Sequence, residues 1–192
     1  MNTEDTVADK KIITVFGSST AQPDTQLYQD ARKLGRLLAE AGFTVMNGGY
    51  FGTMEAVSRG AKEAGGRVIG ITLSLFDQAR PFANRWLDEE IKKTEYLHRL
   101  EHLIVQSDGC IGLEGSIGTL SEVFVTWSLL QVKGMNPKPL ILMGDRWRRV
   151  LRALVQEAFV PEDELRTIHV CLTPEETVQV LVEKVSQQRK GI

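Results

Sequence analysis

Cysteine is scarce in this chain, two in 192 residues, and histidine nearly as scarce, with three. Cys110 and Cys171 each fall in a short apolar run, so they read as buried free thiols and not as a disulfide framework. The few histidines also limit metal chemistry. His98 to His102, HRLEH, fits the H-x-x-E-H pattern of some zinc peptidases, but His169 is the one other histidine available as a third ligand. A packed or exposed helix face is the simpler reading, and no metal is expected. Long apolar runs are missing too. None approaches the roughly 18 residues of a membrane span, and the polar, acidic opening MNTEDTVADKK contains no apolar stretch of signal-peptide type. Excess charge of either sign is absent: the net charge is −2, which argues against nucleic-acid and membrane partners. Arg146, Arg148 and Arg149, interrupted by Trp147, read as a solvated helix face. A cytoplasmic enzyme or binding protein is the expectation.

What is present is a 42% hydrophobic composition, enough for one sizeable core. Residues 1–10 read as a disordered tail and 11–192 as one domain. Short apolar runs, Ile12–Phe16, Phe43–Met46, Arg67–Leu73, Gly109–Leu113, Pro139–Met143 and Ile168–Leu172, alternate with helical patterns. The helices fall near 25–41, 53–65, 95–107, 119–133, 146–158 and 174–187. This alternation predicts βαβ units and a doubly wound parallel sheet with helices on both faces, an α/β fold. Residues 75–93, with Pro81, read as one long irregular connection. The fourth helical pattern is apolar nearly all round, which suits either a subunit interface or a deep core position.

In such sheets ligands sit beyond the carboxyl ends of the strands. Three strand-to-helix turns there are rich in glycine and serine: FGSST (16–20), NGGYFGTM (47–54) and LEGSIGT (113–119). Gly17, Ser18 and Ser19 offer close backbone approach and hydroxyls. Gly48 and Gly49 open a helix near Thr53, with Met54 either packing or lining a pocket. Gly115, Ser116, Gly118 and Thr119 lead into another helix, whose N-terminus is a ready anion site. Thr119-Leu120-Ser121-Glu122 also fits a capping box, which would assign Thr119 and Glu122 to helix initiation alone.

Taken together these strings resemble the Lonely Guy (LOG) family, once labelled lysine decarboxylase-like. The resemblance runs from VFGSS through LGRLLAEAGFTVMNGGYFGTMEAVSRGAKEAGGRVIGI to RLEHLIVQSDGCIGLEGSIGTLSE, roughly residues 12 to 143. It implies a Rossmann-like three-layer sandwich, usually dimeric. It implies hydrolysis of the N-glycosidic bond of nucleoside 5′-monophosphates to free base and ribose 5-phosphate, with no cofactor. Gly115, Gly118, Thr119 and Glu122 match the family signature P-G-G-x-G-T-x-x-E, and Arg99 matches the arginine of the Arg-Lys pair before it. The resemblance therefore implies Arg99 and Glu122 as catalytic. It implies Ser18, Ser19, Gly48, Gly49, Gly115, Gly118 and Thr119 as nucleotide-binding, and Gly17, Met54 and Ser116 join them from the loops themselves.

The chain departs from the signature at three positions: Glu114 replaces proline, Ser116 a glycine and Leu100 the lysine. A carboxylate at Glu114 pointing at a bound phosphate would cost roughly 1–4 kcal/mol. Pointing away, or paired with an arginine, it would leave the loop intact. A second reading follows from the departures: a non-catalytic carrier of a phosphorylated pterin, since molybdenum cofactor carrier proteins resemble the same family. A dinucleotide oxidoreductase is disfavoured, because no G-x-G-x-x-G follows the first strand. The partner in either reading is a small phosphorylated ligand.

Overall fold

Strand β1, Ile12–Phe16, shows how the sheet is covered. Ile13 and Val15 enter one apolar cluster, while Phe16 enters another and Thr14 donates its hydroxyl to Leu103 O at 2.6 Å on that same side. Alternate side chains of a strand leave opposite faces, so both faces must be buried. The remaining strands are β2 (Thr44–Asn47), β3 (Val68–Leu73), β4 (Glu89–Lys93), β5 (Gly109–Gly112), β6 (Leu140–Met143) and β7 (Ile168–Cys171). The helices are α1 (Gln26–Glu40), α2 (Thr53–Glu63), α3 (Tyr96–Val105), α4 (Ile117–Gln131), α5 (Asp145–Gln156) and α6 (Pro174–Gln188). All strand pairs are parallel, in the order β4-β3-β2-β1-β5-β6-β7. Side chains of α1, α2 and α6 build the first cluster, those of α3, α4 and α5 the second. The fold is thus the expected Rossmann-like three-layer α/β sandwich.

This is a computed structural model, and it describes residues 10–78 and 82–188. The expected tail, apart from Lys10, lies outside them. No helix among the described residues is long and apolar enough to cross a membrane. Cys110 and Cys171 are buried and free.

One expectation is corrected. The segment 75–93 is not irregular throughout: Ser74–Phe76 forms a 3₁₀ turn and Glu89–Lys93 is strand β4. The β4 sequence, EEIKK, lacks the apolar run of the other strands because β4 is an edge strand, paired among the described residues to β3 alone. An edge strand needs one inward apolar residue, here Ile91, and charges that discourage pairing with another chain. Glu90 accepts from Thr72 Oγ1 at 2.6 Å, and Arg67 pairs with Glu89 at 2.7 Å.

The end of α3 depends on a distant lysine. Lys138 Nζ donates to Ile104 O at 2.8 Å, to Val105 O at 3.4 Å and to Ser107 O. It satisfies carbonyls that the helix terminus leaves open. Lys138→Met keeps the apolar stem and removes the donor, and is expected to lower stability by about 1–3 kcal/mol. Denaturant unfolding against the native chain checks this; an unchanged midpoint would contradict it.

Candidate functional site

After β1 the chain builds β2, β3 and β4 to one side, and after β5 it builds β6 and β7 to the other. The strand order therefore reverses between β1 and β5, and a crevice opens beyond their carboxyl ends. Phe16 pairs with Gly112 there, and Leu113 N donates to Phe16 O at 2.9 Å. Two of the three Gly-rich turns leave the sheet side by side at this point. The third is drawn in by Thr53, whose N–H and hydroxyl donate to Ser18 O at 2.8 and 3.1 Å.

The three turns surround a cavity of about 230 Å³. Of the residues singled out in the sequence, Gly17, Ser19, Gly48, Met54, Arg99, Ser116, Gly118, Thr119 and Glu122 line it. Ser18, Gly49 and Gly115 are not on its wall and have other work. Ser18 is buried, its hydroxyl bonded to Thr20 N and Thr20 Oγ1 at 3.1 and 3.0 Å. Gly49 donates its N–H to Asn47 Oδ1 at 2.8 Å, closing the turn after β2. Asn47 is fully buried and also donates to Ser58 Oγ at 2.9 Å, so it shapes this turn from below. Gly115 lies against Thr119: a Cβ there would come within 2.1 Å of Thr119 Oγ1.

The capping box is not formed. Helix α4 begins at Ile117 with Ser116 as its N-cap, so Thr119 is the third helical residue and is buried. Glu122 falls in the second turn, not the first as the sequence suggested, and points inward. Ser116 makes no side-chain capping bond. The first turn of α4 forms one wall of the cavity, and its N–H groups and dipole favour an anion there.

One turn further along α4, Glu122 meets Arg99. Arg99 is buried; its Nε donates to Ile71 O at 2.7 Å and its Nη2 to Gly48 O at 3.3 Å. These two carbonyls, one within β3 and one just after β2, fix the guanidinium, and its Nη1 stands 3.6 Å from Glu122 Oε1. The Glu122 side chain is 13% exposed. Burial pushes its carboxyl up to about 7, with the Arg99 charge opposing the shift only in part. A carboxyl poised near neutrality in a cavity can accept or give a proton at physiological pH. Gly48 makes this arrangement possible: a Cβ there would fall 2.2 Å from Arg99 Nη2 and 2.7 Å from Met54 Sδ.

Sequence reasoning missed five wall residues: Val15, Phe16, Phe76, Tyr96 and Ile117. Phe76 meets Tyr50 edge-on, with ring centroids 5.8 Å apart, and Tyr50 is held by both its hydroxyl bonds to Leu73. Tyr96 opens α3 one turn before Arg99, and its hydroxyl lies 3.1 Å from Ser121 Oγ. Phe76 and Tyr96 thus add two aromatic rings to the cavity wall. His98 on the same helix is exposed beside Glu95 at 3.4 Å. Among the described residues no group of three His, Cys, Asp or Glu side chains could hold a metal ion.

Glu114 answers the question its charge raises. Its carboxylate turns to α5, accepting the N–H of Arg146 at 3.1 Å and pairing with Arg146 Nη2 at 3.3 Å. It is absent from the cavity wall.

The chain has relatives among known proteins. A cytokinin riboside 5′-monophosphate phosphoribohydrolase of Rhodococcoides fascians is 30% identical over 155 residues, 78% of this chain and 76% of that one. An uncharacterized protein of Archaeoglobus fulgidus is 31% identical over 138 residues, 71% of this chain and 87% of that one. Among solved structures, the molybdenum cofactor binding protein of Rippkaea orientalis superposes with a TM-score of 0.70 at 29% identity, over 92% of this chain and 98% of that one. The family model of the SLOG cluster4 family matches residues 10–178, and the chain belongs to that family.

Proposed function

We propose that the protein is a nucleoside 5′-monophosphate phosphoribohydrolase. The observation that carries this reading is the Arg99–Glu122 pair: a buried carboxyl of raised pKa, facing the same cavity as the first turn of α4. The 5′-phosphate sits at Ser116, Gly118 and Thr119, and Gly17 and Ser19 line the sugar's side. The base lies toward Phe76 and Tyr96, where a flat ring gains aromatic contact. Cleavage breaks the C1′–N bond, and the bonding pair leaves with the base, which takes up a proton from solvent. The ribose develops oxocarbenium character, which the Glu122 carboxylate stabilises. Water adds its oxygen to C1′ and loses a proton to that carboxylate. Arg99 holds the carboxylate in place through its charge and through its own fixed position between two carbonyls. No step needs a cofactor.

The phosphoribohydrolase named above supports this reading at 30% identity. The likeness to the molybdenum cofactor binding protein supports a second one, a carrier of a phosphorylated pterin, since Leu100 and Ser116 replace residues of the hydrolase signature. Helices α3 and α4 also expose Leu97, Val105 and Val125, apolar side chains that a homodimer would cover.

The test is free-base release from a panel of nucleoside 5′-monophosphates. Release from at least one supports hydrolysis. Tight binding of molybdenum cofactor without release from any nucleotide supports the carrier. Gly48→Ala should fold, because its new Cβ meets only side-chain ends, yet displace the Arg99 guanidinium. Its turnover is expected to fall roughly 10- to 100-fold; native turnover would contradict the placement of Arg99.

A further inference from the structure

Glu114 immediately precedes the turn that carries the first residues of α4, and it reaches away from that turn. One carboxylate oxygen accepts the N–H of Arg146, the second residue of α5, at 3.1 Å. That is the bond an N-capping side chain makes. Gly144, the N-cap of α5, has no side chain to make it. Gly144 also vacates the space: at φ 125, a Cβ on it would fall 2.7 Å from Glu114 Oε1 and 3.0 Å from the carboxyl carbon. The carboxylate is therefore seated against the N-terminus of α5, a favourable place for negative charge. Its Arg146 partner is 62% exposed, so that ion pair adds little, and the bond to the backbone carries the contact.

We propose that Glu114 is a positioning residue for the anion-binding turn: docked on α5, it pins residues 114–116 so that the first turn of α4 keeps its place beside the cavity. The proposal rests on the reading of that turn as the phosphate seat. Gly115, Ser116 and Gly118 give the segment little stiffness of its own, and no proline restrains it. A long-range contact supplies the restraint, and it commits the local negative charge elsewhere.

The experiment compares Glu114→Ala, Glu114→Gln and Arg146→Ala in ligand-free protein by amide hydrogen exchange over 113–120, followed by titration with inorganic phosphate. In Glu114→Ala, exchange in this segment speeds up and phosphate binding weakens, each by about fivefold to tenfold, the worth of one cap. Glu114→Gln keeps an acceptor for the Arg146 N–H and stays within about threefold of native, as does Arg146→Ala. In turnover, Glu114→Ala raises KM more than it lowers kcat. Glu114→Asp keeps the charge but shortens the side chain by one methylene, so it loses the Arg146 N–H and follows Glu114→Ala even if the latter folds poorly. Native exchange over 113–120 in both Glu114→Ala and Glu114→Asp would overturn the proposal. Faster exchange in both, with no phosphate bound by native protein, would keep the tether and overturn the phosphate seat instead.

Discussion

Glu122→Gln is expected to make the protein more stable at pH 8, by on the order of 3 kcal/mol, and to do so by less than about 1 kcal/mol at pH 5. The folded-state pKa of Glu122 is raised to about 7 from an ordinary 4.5. Between those values the folded chain holds a proton that the unfolded chain has released. Native stability therefore falls as pH rises through that window, and the loss is complete above 7. Glutamine carries no charge to desolvate and escapes the loss. For a chain of this size the gain corresponds to roughly 6–12 °C in Tm at pH 8. Thermal or denaturant melts of both proteins at the two pH values check it. A variant less stable than native at pH 8 would mean that the Arg99 charge outweighs burial, contrary to the account. A gain in stability with a loss of function would mark Glu122 as a residue kept for chemistry.

The second large effect concerns Arg99. Native kcat/KM should rise with pH to a half-maximum near 7, because the ionised carboxyl is the working form. Arg99→Met removes the cation 3.6 Å from Glu122 and is expected to cost about 10²–10³ in kcat/KM at pH 7. It should also move the acid limb upward by roughly one pH unit or more. Arg99→Lys should not rescue it. A single ammonium cannot span Ile71 O, Gly48 O and the carboxylate as the guanidinium does. A pH–rate profile of each variant separates the outcomes: an unshifted limb in Arg99→Met would show that the two side chains are not electrostatically coupled.

The parts legible in the sequence were those with a periodic or compositional signature. The six apolar strands and the three Gly-rich turns could be placed because burial on both faces and strand-to-helix turns demand particular residue types. Arg99 and Glu122 could be named only through the family resemblance. That they meet depends on β1 and β5 being neighbours, a non-local fact that no local pattern carries. Strand β4 was missed because an edge strand can be charged: EEIKK contributes only Ile91 to the core. The capping box misled because the local string T-x-x-E fits either a helix start or a second-turn carboxyl, and the earlier start at Ile117 decides for the latter. Phe76 and Tyr96 left no signal, since each is a lone aromatic in a 3₁₀ turn and a first helical turn. The direction of Glu114 was equally hidden, because it is set by Gly144, thirty residues further on in round numbers.

The most direct measurement is the yield of free base and ribose 5-phosphate from nucleoside 5′-monophosphates, with native protein and Glu122→Gln side by side. Stoichiometric release by the native chain, lost in a Glu122→Gln variant that melts at a higher temperature, is the predicted result. Equal release by both proteins would remove Glu122 from the chemistry, and no release by well-folded native protein from any nucleotide would contradict the hydrolase reading itself.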